Sequence, residues 1–144
     1  MKKIIPLLAL FLINWGCQPT EPQHPIVGDW RWISSTGGIA GLHLKPKNGD
    51  VHILRFTAAG VFEVYINNLL FYSGNYRLTG AESIYSNSKE PSLVVDHFIR
   101  HKKDTINYYS SFLMNGTIIR RFSNKELELA DNCNDCFRHS FLRN

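Results

Sequence analysis

The sequence predicts an all-β protein, a small up-and-down antiparallel β-barrel, and three observations carry that expectation. Apolar and polar residues alternate with period two over many short runs. Clusters of glycine, asparagine and lysine separate the runs at regular spacing, and no segment sustains a helical stripe. Successive runs are joined by short turns, without the long return connection of a Greek key.

The first strand is expected at Ile26–Ser35, followed by the turn Gly37-Gly38-Ile39-Ala40-Gly41 and a loop through Pro46, Asn48, Gly49 and Asp50. Val51–Thr57 is the second. Ala58-Ala59-Gly60 makes a tight connection to Val61–Ile66, and Asn67-Asn68 turns the chain into Leu69–Leu78. Ser86–Pro91 reads as a polar loop. Further strands are expected at Leu93–Ile99, Thr105–Leu113, Thr117–Phe122, Glu126–Ala130 and Phe137–Leu142, with turns at Lys102-Lys103-Asp104, Asn115-Gly116 and Ser123-Asn124-Lys125.

Alternation also sorts the faces, because successive side chains of a strand point to opposite sides. Glu126-Leu127-Glu128-Leu129 sends its leucines to the core. Phe62, Val64 and Ile66 oppose Glu63; Leu54 and Phe56 oppose Arg55; Tyr76 and Leu78 oppose Arg77. On the first strand Gly28, Trp30, Trp32 and Ser34 share the inward face. On the last, Phe137, His139, Phe141 and Arg143 share one face, so Arg143 is placed to stack on a tryptophan at the barrel end.

Residues 1–16 have the tripartite layout of an export signal: Lys2 and Lys3, an apolar run from Ile4 to Ile13, then Asn14-Trp15-Gly16. The run is shorter than the roughly 20 residues a spanning helix needs, and Pro6 interrupts it. Gly16-Cys17 resembles the bacterial lipobox, which implies cleavage before Cys17 and lipid attached to that cysteine; cleavage elsewhere would leave Cys17 an ordinary thiol. Cys133 and Cys136 then remain as an even pair in an oxidising compartment, where a disulfide is the default. Residues 17–25 carry prolines and almost nothing apolar, so they are expected to form a disordered tether. Residues 26–144 form one domain, as the length of 144 allows.

Loss of Lys2 and Lys3 takes the formal charge of +4 down by two. The remaining charge is scattered, which argues against nucleic acid as a partner. The adjacent pairs Lys102-Lys103 and Arg120-Arg121 read as solvated strand ends.

Gly28-Asp29-Trp30 resembles the lipocalin Gly-x-Trp signature, and Arg143 resembles the arginine that lipocalins pack across that tryptophan. With Ser34-Ser35-Thr36-Gly37-Gly38-Ile39-Ala40-Gly41, the ending Leu127-Glu128-Leu129-Ala130-Asp131-Asn132-Cys133, and Phe137-x-His139-x-Phe141-x-Arg143, residues 26–144 look like the small lipocalin-like lipoproteins of Gram-negative bacteria. The resemblance implies a barrel that binds small hydrophobic molecules, and an outer-membrane location through the lipid. The chain departs from broader lipocalins in its shortness, in lacking an obvious C-terminal helix, and in offering only Thr105-Ile106-Asn107-Tyr108-Tyr109 for their second motif.

No set of residues reads as catalytic: no serine sits in a Gly-x-Ser-x-Gly elbow, and the acids fall in turns or on exposed faces. No metal site is expected. His97 and His101 would lie roughly 13 Å apart on a strand, and Cys133-x-x-Cys136 with His139 lacks a clear fourth zinc ligand. The cysteine pair falls in a turn between strands, not at the start of a helix in a βαβ unit, so it reads as a local staple and not a thioredoxin-type motif. Gly37–Gly41 has no following Lys-Ser/Thr and reads as a flexible turn or mouth lid.

Two functions lead, with an enzymatic reading kept as a residual that gains if His139 or His97 stands close to a carboxylate inside an open cleft. In the first, a monomeric, membrane-tethered barrel binds a small hydrophobic ligand through Phe56, Phe62, Tyr72, Tyr76, His139 and Phe141, with Gly28, Trp30 and Arg143 closing the barrel end and no cofactor. In the second, side chains fill the barrel and its surface serves a structural or protein-interaction role. An interior cavity would separate the two.

Overall fold

The computed structural model describes residues 26–103 and 116–144. The export signal, Cys17, the tether and the strand expected at Thr105–Leu113 lie outside the described residues. The strands are β1 (Gly28–Gly37), β2 (Leu42–Leu44), β3 (His52–Phe56), β4 (Val61–Ile66), β5 (Leu69–Ser83), β6 (Ser88–Arg100), β7 (Thr117–Phe122), β8 (Glu126–Asp131) and β9 (Arg138–Arg143). All but β2 close into an eight-stranded antiparallel barrel in the order β1-β3-β4-β5-β6-β7-β8-β9, with β9 pairing back onto β1. Neighbours in the chain are neighbours in the wall, which is the up-and-down meander of a small lipocalin-like barrel.

Alternation sets the register. On β4, Phe62, Val64 and Ile66 are buried while Val61, Glu63 and Tyr65 are half-buried. Val64 stands opposite Leu54 on β3 and Tyr72 on β5. Asn67 and Asn68 join β4 to β5 with φ of 51° and 64°, the left-handed pair a two-residue hairpin requires.

The structure corrects the sequence reading in three places. A bulge between Trp32 and Ser34 shifts the phase of β1; Ser35 therefore takes the inward position expected for Ser34 and is 1% exposed. β2 stands where a loop was expected. It pairs with Ser35–Gly37 on the side of β1 that β3 occupies lower down, so β2 and β3 share one position in the wall. Thirdly, β5 runs on to Ser83 and β6 begins at Ser88, so Ser88–Pro91 of the expected loop is strand while Ser86 and Asn87 stay in the turn. β6 meets β7 only at Ser92 and Leu93, so Pro91 falls where a ladder partner is not needed on that side.

Beyond that point the β5–β6 turn is tied to the end of β8. Tyr85 donates its hydroxyl to the Asp131 carbonyl at 2.6 Å, and Asn132 bonds Glu82 O at 2.8 Å and Ile84 N at 3.0 Å. Register turns Ile118 and Ala130 outward, yet both are 0% exposed.

At one end of the barrel Trp30 and Arg143 meet. Trp30 is 0% exposed and donates its indole N–H to Ile26 O at 2.7 Å. The Arg143 guanidinium lies 4.2 Å above the Trp30 ring and donates to Val27 O and Asn124 O at 3.1 and 2.9 Å. Gly28 has a φ of 136°, and a Cβ there would stand 2.5 Å from Arg143 Nη1. Only glycine meets both conditions.

On the outer wall Arg55 bridges Asp29 bidentately at 2.7 and 2.8 Å. The hydrogen bond from Arg55 holds the Asp29 carboxyl below its ordinary range. A depressed folded pKa stabilises the fold above the unfolded value of about 4 and is lost as pH falls through the folded value. Both side chains are substantially exposed (41% and 30%), so Asp29→Asn should cost less than about 1 kcal/mol at pH 7. Urea titrations of both proteins at pH 7 and pH 2 should show that difference shrinking at the lower pH.

Candidate functional site: the barrel interior and its mouth

The residues expected to contact a ligand do not border one open space. Phe56, Phe62 and Tyr72 are at most 3% exposed, and all three belong to the continuous core. Phe56 meets Tyr76 edge-on at 4.8 Å, Tyr72 stacks on Phe98 at 5.1 Å, and Phe62 lies 6.3 Å from Phe98. A Cβ on Gly74 would come within 2.6 Å of the Phe62 ring, which shows how closely wall and ring meet. Tyr76 donates its hydroxyl to Thr57 O at 2.8 Å, and burial pushes its phenol pKa up. These four side chains fill the barrel on the side of the β3–β4 turn.

Phe141 and His139 sit further along, on β9, at 2% exposure. Here the interior becomes polar, and strand register explains why. Leu127, Leu129 and Asp131 share the inward face of β8, and Leu129 pairs with His139, which pairs with Ser35 on β1. Trp32 Nε1 donates to Ser35 Oγ at 2.9 Å, and Ser35 Oγ lies 2.7 Å from His139 Nδ1. The other ring nitrogen, His139 Nε2, faces Asp131 Oδ1 at 3.7 Å. Asp131 is 1% exposed, and its Oδ1 has no hydrogen-bond partner among the described residues. Thr117 pairs with Asp131 across β7 and β8, and His52 lies 5.2 Å from the Trp32 ring; both are buried.

Sequence reasoning singled out His139 but missed Ser35, His52 and Asp131. The signal for two of them was present: His52 precedes Leu54 and Phe56 on one face, and Asp131 follows Leu127 and Leu129 on another. Ser35 was hidden by the bulge. The chain Ser35–His139–Asp131 has the connectivity of nucleophile, base and acid, but Ser35 Oγ lies behind the wall.

At the mouth a cleft of about 480 Å³ opens between the Gly37–Gly41 turn, the β8–β9 turn and the Ile84–Tyr85 tip. The Cys133–Cys136 disulfide, expected from cysteine counting, forms there, and Arg138 and Asp135 contribute the charge. Cys136 O packs directly on Gly37, whose φ is 152°. Smaller hollows on the outer wall measure about 190 Å³ beside Ile33 and Leu142 and about 280 Å³ beside Asp29 and Tyr65.

His97 and His101 go to separate partners: His97 bonds Asp96 at 2.9 Å, and His101 bonds Ser73 at 2.8 Å. Arg120 bridges Glu90 and Arg121 bridges Glu126. No group of three or more metal-ligating side chains converges among the described residues. In comparisons with known proteins, the chain matches no family model, no curated protein and no solved structure.

Proposed function

We propose that this protein is a lipid-anchored, lipocalin-like barrel of the bacterial envelope, filled by its own side chains and acting as an interaction module through its mouth. The packing of Phe56, Phe62, Tyr72 and Tyr76 against one another and Phe98 carries this reading, because a ligand at those positions would have to displace them. The Gly16-Cys17 junction supports a lipid on Cys17, and the Gly28–Trp30–Arg143 arrangement supports the lipocalin resemblance. The protein acts as a monomer and without catalysis in this reading, with Ser35, His139 and Asp131 fixing the upper core.

One observation favours a second reading, a small hydrophobic ligand that also carries a hydrogen-bond donor. Asp131 Oδ1 is a buried acceptor without a hydrogen-bond partner among the described residues, and buried acceptors usually have one.

Native mass spectrometry of protein extracted from its own membrane separates the readings. Acyl chains on Cys17 with no retained molecule is the expected spectrum. A stoichiometric apolar passenger, lost on Asp131→Ala, would overturn the filled barrel in favour of the ligand.

A further inference from the structure

The Cys133–Cys136 bridge joins residues three apart in sequence, so it removes little freedom from the unfolded chain. The turn that contains it is closed without it. Asp131 N donates to Phe137 O at 3.0 Å, Tyr85 holds the Asp131 carbonyl at 2.6 Å, and Asn132 ties the turn to Glu82 and Ile84. Breaking the sulfur–sulfur bond therefore leaves the backbone held in place. Both cysteines are half-buried and line the mouth cleft, whose volume of about 480 Å³ falls in the range of small-molecule sites. Gly38 and Gly41 line the same cleft, and nothing lies within 4 Å of where a Gly41 side chain would stand, so that part of the lining leaves room for a peptide backbone. Arg138 and Asp135 add one charge of each sign to the same lining, and Arg138 also faces Glu128 at 3.5 Å.

We propose that Cys133–Cys136 is an exchangeable disulfide and that the cleft is a thiol–disulfide exchange site for a thiol of about tripeptide size. A thiolate in the cleft attacks one sulfur of the bridge; the Cys133–Cys136 bond breaks, a mixed disulfide forms, and the released cysteine leaves as thiolate and takes a proton from water. A second molecule of thiol attacks the mixed disulfide. Two thiols are thereby oxidised to one disulfide while the bridge is reduced to two cysteines, two electrons passing to the protein. A disulfide-bearing partner drives the same steps in reverse and restores the bridge.

Glutathione is the probe. The full purified protein is equilibrated without oxygen in reduced and oxidised glutathione, quenched in acid, and its thiols alkylated and weighed. The bridge should be about half reduced at a few millimolar reduced glutathione with about a tenth as much oxidised glutathione, with a melting temperature moved by no more than about 2 °C. Cys133→Ser or Cys136→Ser should trap a glutathione adduct on the remaining cysteine. Arg138→Ala, which removes a cation from the cleft lining, should slow exchange with the anionic glutathione about fivefold. A bridge that stays oxidised at a hundredfold excess of reduced glutathione, or opens only as the chain unfolds, would make it a structural staple and overturn the proposal. An unchanged exchange rate in Arg138→Ala would overturn the role of the cleft.

Discussion

Trp30→Ala should cost about 3–5 kcal/mol, the range for truncating a fully buried aromatic. The loss has several parts that act together. The indole is 0% exposed, packs edge-on against Phe122 at 5.9 Å, and supplies the donor for Ile26 O. It is also the platform on which Arg143 rests, and Arg143 joins the start of β1 to the β7–β8 turn through Val27 O and Asn124 O. Removing the ring thus opens a cavity, takes away one donor to a buried carbonyl and removes the platform under Arg143. Small domains are stable by only about 5–15 kcal/mol, so equilibrium urea unfolding should show a midpoint at a small fraction of the parent's. A cost below about 1 kcal/mol would mean that the closed end is not held by this residue.

Gly37→Ala is the second large effect. The residue has a φ of 152°, and an added Cβ would be driven into the carbonyl of Cys136 and the Cα of Phe137. Those obstacles are backbone, fixed by the β1–β9 ladder at Thr36 and Arg138, so no rotamer change relieves the clash. Strained backbone and overpacking each cost about 1–3 kcal/mol, and here they add, giving about 3 kcal/mol or more. Gly41→Ala is the control. Its φ is 61°, but nothing lies within 4 Å of the added Cβ, so only the left-handed conformation is penalised, by about 1 kcal/mol. Thermal unfolding of the pair should rank Gly37→Ala far below Gly41→Ala. Equal melting temperatures would show that the β8–β9 turn does not press on β1.

These residues also mark how far the sequence could be read. Gly28, Trp30 and Arg143 were legible because a glycine, a tryptophan and a terminal arginine at fixed phase on their strands leave few other roles. The faces of β3, β4, β8 and β9 followed from alternation, since one polar partner in each pair, such as Arg55 or Glu63, decides which side meets water. Three features were not legible. The bulge in β1 adds a residue without any glycine or proline to announce it, so the inward role passed from Ser34 to Ser35 unseen. The lengths of β5 and β6 depend on pairing with each other across a polar stretch, a non-local cause that composition does not report. The aromatic residues were assigned to the inside correctly, but whether they border a space or fill it is decided by how the rings meet, and Phe98, which brings Phe62 and Tyr72 together, drew no notice in the alternating pattern.

Because β2 and β3 occupy one place in the wall, the chain between Leu44 and His52 is a side excursion from a single interrupted stave. The register of β3 is dictated by β1 and β4 on either flank, so it owes nothing to how long that excursion is. Lengthening or shortening it alters the outline of the molecule while every inward side chain keeps its seat. The barrel therefore carries, at Lys47–Gly49, a position where new sequence can accumulate without the core having to answer for it.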